Sequence, residues 1–210
     1  MFWRGVVGYL PVNIIQGLVG LATIVTFTRL LSPGQFGDYA LGFSAMSLLH
    51  TAIFTWNEAA MARFWVGEAD KGRGGDHSAT IYRTWLALLV VLPVALAIAL
   101  LLPLSPGLKL AVVCGVLAVL PRTFAKLAQE RRRAAGEVAG AASIDMIQTL
   151  GAFGVGAIFA WQGFGGAAPL IGFGVAAAVC MAWTLPSELR HSRQGRFESP
   201  RVRIYLGYGL

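Results

Sequence analysis

The chain has 210 residues, of which 56 % are hydrophobic and only 13 % charged, with a mean hydropathy of +0.65. A water-soluble domain carries about 25 % charged residues, so the composition excludes an ordinary soluble globule and makes lipid the solvent of the fold. The formal charge of +7 brings no basic stripe with interleaved aromatics, so no nucleic acid is expected as a partner.

A helix that crosses a hydrocarbon core about 30 Å thick needs about 20 mostly apolar residues. Backbone polar groups must be satisfied within it. Six segments meet this requirement: 6–30, 36–60, 80–102, 108–127, 140–161 and 168–189. They predict an all-α membrane protein, a bundle of about six transmembrane helices over 1–190, followed by a basic linker and the start of a seventh helix over 191–210. The short alternating segments of a β-barrel do not occur.

The first span is too long for a signal-peptide core and lacks a small-x-small cleavage site, so it reads as an uncleaved helix. Asn13, Gln16, Gly20 and Thr23 recur on it at helical spacing. Such a face either lines a water-filled cavity or forms an interhelical hydrogen-bond seam. The span closes with Arg29. The second span opens with Ser32, Pro33 and Gln35, the pattern of a capping box with proline in the first turn. Asn57, Glu58 and Arg63 lie toward its far end. Arg63 can snorkel to lipid phosphates, whereas Glu58 lies deeper. The following segment, 67–78, holds Asp70, Gly72, Arg73, Gly74, Gly75 and Asp76 and is expected to be a flexible loop.

The fourth span carries Arg122 and Lys126 one turn apart, Arg122 about 18 Å from Ala134 at a rise of about 1.5 Å per residue. The fifth carries Asp145. Spans four and five form a hairpin, so Asp145 is expected to pair with Lys126 or Arg122, because a buried carboxylate stays charged only beside a cation. Ionisable groups at membrane depth are costly, which makes Glu58, Arg122, Lys126 and Asp145 functional candidates. Spans five and six are dense in glycine and alanine, as close helix packing requires.

The loop charges orient the bundle. Arg4 precedes the first span. Arg63, Lys71, Arg73 and Arg83 lie between the second and third, and Arg122, Lys126, Arg131, Arg132 and Arg133 around the exit of the fourth. Arg190, Arg193, Arg196, Arg201 and Arg203 follow the sixth. The other loops hold only Arg29 and Lys109. Basic residues stay on the cytoplasmic side, so both termini are expected inside, in a bacterial inner membrane. Cys114 and Cys180 lie in apolar runs with no metal or disulfide spacing. The motifs of nucleotide, zinc-peptidase and serine-hydrolase sites are missing, and His50, His77 and His191 are scattered. Neither an enzyme, a cofactor nor a metal is expected.

The stretch TRLLSPGQFGDYAL, Thr28 to Leu41, is the most specific in the chain. It resembles the junction of the first two helices in bacterial polysaccharide flippases of the multidrug/oligosaccharidyl-lipid/polysaccharide exporter superfamily. Ala62 to Phe64, and the polar-basic exit from Gln129 to Gly136 into an alanine-rich helix, are similar too. The resemblance implies transport of a lipid-linked oligosaccharide or polysaccharide precursor across the inner membrane for lipopolysaccharide, capsule or exopolysaccharide assembly. Arg29 and Arg63 fall on the family-like motif positions. The expected partners are membrane lipids, a lipid-linked anionic oligosaccharide, and a second lobe or a homodimer partner. Such transporters resemble two six-helix lobes, and this chain matches the N-terminal one. Its last ten residues, RVRIYLGYGL, look like the approach to a seventh helix cut short, as in a fragment, a truncated gene or a self-pairing half. The alternatives are a cation-coupled multidrug exporter using Asp145 and a non-transporting membrane scaffold.

Overall fold

A computed structural model describes residues 2–193 and 195–209, with side chains over 12–193 and 195–207. The side chain of Arg4, and Leu210 altogether, lie outside the described residues. Nine α-helices follow in order: α1 (Phe2–Leu30), α2 (Pro33–Ile53), α3 (Thr55–Asp70), α4 (Gly74–Leu88), α5 (Val91–Leu101), α6 (Pro106–Ala134), α7 (Val138–Trp161), α8 (Ala168–Arg193) and α9 (Ser199–Gly209), with a 3-10 turn at Gly165–Ala167. No strand occurs among the described residues. Among the described residues, five stretches are long and apolar enough to cross a membrane: Val12–Leu30, Gly74–Leu101, Pro106–Ala134, Val138–Trp161 and Gly165–Arg193. The chain is an all-α, multi-pass membrane bundle.

Local chemistry fixes the helix ends. Ser32 and Gln35 form the predicted capping box: Gln35 N donates to Ser32 Oγ at 3.3 Å and Ser32 N donates to Gln35 Oε1 at 2.9 Å. Ser105, followed by Pro106, starts α6 in the same way, accepting from Leu108 N. The predicted second span is not one helix. It breaks at Phe54 between α2 and α3, and Gln35, Asp38 and His50 leave it outside the five apolar stretches. Its first part, α2, still packs along α6 as a member of the bundle. The third span breaks too, at Leu89–Val90. Pro93 has no N–H for the carbonyl four residues back, and the Leu89 carbonyl accepts from Leu92 N instead.

Helices α7 and α8 make the closest pairing. A Cβ at Gly172 of α8 would collide with the Ala152 carbonyl oxygen and the Gly156 backbone of α7. Gly42 and Gly115 bring α2 and α6 together, and a Cβ at Gly115 would lie 2.9 Å from the Gly42 carbonyl oxygen. The aromatic core sits at the basic end of the bundle, where Trp65, Tyr82, Trp85 and Phe124 cluster. Leu18, Leu21, Leu86, Val90, Val94 and Ile98 stand exposed around the outside, as lipid-facing side chains do.

One expectation at the basic end is corrected. The segment 67–78 is mostly helical, with a turn only at 71–73 closed by Gly72 at φ 72°. Ion pairs hold it: a Glu68 oxygen lies 3.1 Å from Arg73 Nε and 2.8 Å from a guanidinium nitrogen of Arg201 on α9. Arg131 and Arg132 are buried, 2 % and 8 % exposed. The cause is Glu188 of α8, itself 1 % exposed. Arg131 donates to both its oxygens, at 2.7 and 3.0 Å, and the Tyr82 hydroxyl donates to it at 3.0 Å. Arg131 also lies 5.5 Å from the ring centre of Trp65. One carboxylate thereby ties α4, α6 and α8 together, with α3 stacked on the guanidinium. The C-terminal α9 completes this end: Tyr205 is buried against Phe64, and its hydroxyl lies 2.7 Å from His77 Nδ1.

Glu188→Leu leaves the buried Arg131 with only the exposed Glu137, 3.1 Å away, as a carboxylate partner and should destabilise the protein by about 3 kcal/mol. Adding Arg131→Met should recover most of that loss, read as unfolding in detergent micelles. Gly172→Ala should cost about 1–3 kcal/mol by overpacking, whereas Gly154→Ala, which meets nothing within 4 Å, should be neutral in the same assay.

Candidate functional site

The site starts at the break between α2 and α3. Phe54 N donates to the His50 carbonyl and Glu58 N donates to the Phe54 carbonyl, so the backbone bends while keeping its hydrogen bonds. Eight residues of straight helix rise about 12 Å. The bend nevertheless brings His50 Nε2 to 2.7 Å from Glu58 Oε1, with each side chain 12 % exposed. Glu58, which the sequence leaves without an evident partner, therefore has one.

Arg122 of α6 lies within electrostatic reach of Glu58. Its Nε is buried and has no hydrogen-bond acceptor among the described residues. Its guanidinium lies 5.7 Å from the ring centre of Phe173 on α8. A stacked, partly desolvated guanidinium with an unused donor is a strong recognition element for a planar or tetrahedral oxyanion.

Phe173 links that guanidinium to a cleft of about 270 Å³ between α1, α7 and α8. Gln16, Gly20 and Thr23 line its α1 side, and Thr149 and Phe153 of α7 lie opposite. The predicted small-polar face of α1 thus faces a cleft rather than a close-packed seam, although Thr23 returns its hydroxyl to the Val19 carbonyl. Asn13, the fourth member of that face, is exposed and does not line the cleft.

A ladder of polar groups continues along α6 toward the basic end. Lys126 donates to Gln129 Oε1 at 2.7 Å and lies 3.9 Å from Asp145 Oδ1. Arg133 reaches the other oxygen of Asp145 at 3.5 Å. Of the two partners expected for Asp145, the structure supplies Lys126; Arg122 belongs to the Glu58 group instead. Gln129 Nε2 and Gln148 Nε2 are buried without acceptors among the described residues, so the lane keeps unused donors.

Arg29 and Arg63 are exposed, one in the last turn of α1 and the other in α3; the fold does not bring them to the cleft. Three participants escape the sequence. His50 pairs across a bend that no periodicity announces, and Phe173 is one aromatic among many. Glu188 had a signal, a lone acid in the apolar run that ends α8, but nothing in the sequence ties it to Arg131. Among the described residues no group of three His, Cys, Asp or Glu side chains is placed to hold a metal. No family model matches this chain, and neither a curated protein nor a solved structure does.

Water should reach the α1 cleft. In a chain with Cys114 and Cys180 replaced by alanine, Gln16→Cys and Thr23→Cys should react with a membrane-impermeant maleimide. Leu18→Cys, 62 % exposed on the outward side of α1, should react at least about tenfold more slowly, because thiolate does not form in hydrocarbon. Equal rates at the three positions would make the cleft a dry seam.

Proposed function

We propose that this bundle is one lobe of an inner-membrane flippase for a lipid-linked, anionic oligosaccharide or polysaccharide precursor. The observation that carries the reading is Arg122: a cation inside a membrane span, stacked on Phe173 beside the α1 cleft, with a buried donor left unused. A pyrophosphate oxygen is the acceptor this donor lacks. Its charge would replace Glu58 as the counterion of Arg122, and Glu58 would then rest on His50 alone, 2.7 Å away. The unused donors of Gln129 and Gln148 extend a polar lane toward the basic end, where the substrate would enter.

The distribution of basic residues supports a cytoplasmic position for that end. Transport would follow from rocking of this lobe against a second one, in the manner of transporters built from paired bundles. The resemblance of the Thr28–Leu41 stretch to polysaccharide flippases supports the same cargo. The multidrug alternative needs a carboxylate free to trade a proton for a cationic drug. Asp145 lies between Lys126 and Arg133, an arrangement that favours anionic cargo.

Arg122→Ala should reduce export of surface polysaccharide without reducing the amount of protein in the membrane. Loss of one charge-assisted hydrogen bond, about 1.5–3 kcal/mol, corresponds to roughly 10–100-fold in substrate affinity. Arg122→Lys, which keeps the charge but loses the planar donor, should fall between. Normal export in Arg122→Ala would remove Arg122 from the mechanism and favour a non-transporting scaffold.

A further inference from the structure

Arg83 stands on α4 at the boundary between its polar first turns and its apolar remainder. Beyond it the exposed residues are Leu86, Ala87 and Val90, a lipid-facing row. Arg83 lines two clefts at once. One, of about 290 Å³, runs between α4 and α8 over Leu86, Phe124, Met181, Leu185 and Leu189, with Arg193 at the same polar end as Arg83. The other, of about 370 Å³, lies on the other flank of Arg83, over Thr84, Ala87, Phe197 and Val202. Both arginines are exposed, and neither forms an ion pair among the described residues.

We infer that the two clefts form a binding site for one anionic phospholipid, its phosphate between Arg83 and Arg193 and one acyl chain in each cleft. Three features favour this occupant over a peptide or a second copy of the chain. The clefts flank the stretch Gly74–Leu101, long and apolar enough to cross a membrane, where acyl chains are the ambient ligand. They diverge from a shared cation, as two chains diverge from one headgroup. The polar end carries two unpaired positive charges and so selects a net negative headgroup over a zwitterion, by charge complementarity. The Glu188 carboxylate, also in the wall of the first cleft, does not oppose this, because Arg131 and Tyr82 already occupy its oxygens. The site is separate from the Arg122 group and does not depend on what the bundle transports.

The test is native mass spectrometry of the full chain released from nanodiscs of phosphatidylcholine containing phosphatidylglycerol. The wild-type chain should retain one phosphatidylglycerol in preference to phosphatidylcholine. The double variant Arg83→Gln/Arg193→Gln should lose that preference at least tenfold, and Arg203→Gln, a basic residue outside both clefts, should keep it. Ala87→Trp, which fills the second cleft without touching charge, should also weaken retention. A melting curve for each variant establishes that it is folded. Inorganic phosphate should not displace the lipid, since the chains contribute to binding. Equal loss in Arg203→Gln, or unchanged retention in the double variant or in Ala87→Trp, would overturn the proposal, as would displacement by free phosphate.

Discussion

The buried carboxylate of Glu188 is the constraint around which the bundle is organised. A charge with no access to water persists only if the protein surrounds it with donors. Arg131, Arg132 and Tyr82 do so from two neighbouring helices, and Trp65 stacks from a third. Helices in lipid gain nothing from the hydrophobic effect when they meet. Their register therefore depends on such polar contacts and on steric fit. The ion pair supplies the first at the basic end, and the glycines of α2, α6 and α8 supply the second farther along.

With α4, α6 and α8 fixed, the remaining polar groups fall into separate duties. Lys126, Arg133 and Asp145 neutralise one another across the α6–α7 hairpin, a structural use of charge. Arg122 has no such settlement. It stands one turn before Lys126 on the same helix, yet its environment is an aromatic face and a carboxylate already committed to a histidine. That imbalance separates the candidate site from the ion pairs around it.

The sequence announced the helices and their spacing because lipid imposes a simple rule on length and polarity. The capping box at Ser32 and the partnership of Asp145 with Lys126 were readable for the same reason: each is local, or follows from a hairpin. The breaks at Phe54 and Leu89 were not. Pro93 marks the second, but the bend at Phe54 has no proline or glycine beside it. The burial of Arg131 and Arg132 is not legible in the sequence, because it depends on a partner 57 residues on, Glu188. His50 and Glu58 illustrate the same limit, since their contact exists only once the chain has bent.

The placement of α1 has a mechanical consequence. It packs mainly on α7 and takes no part in the Glu188 ion pair. Most of its outer surface already faces acyl chains, with Leu18 and Leu21 each 62 % exposed. A tilt of α1 would exchange contacts with side chains for contacts with lipid tails of similar polarity, resisted chiefly where Phe27 is buried against Ala160 and Ala168. The seam along which it would open runs past Gln16, Gly20 and Thr23.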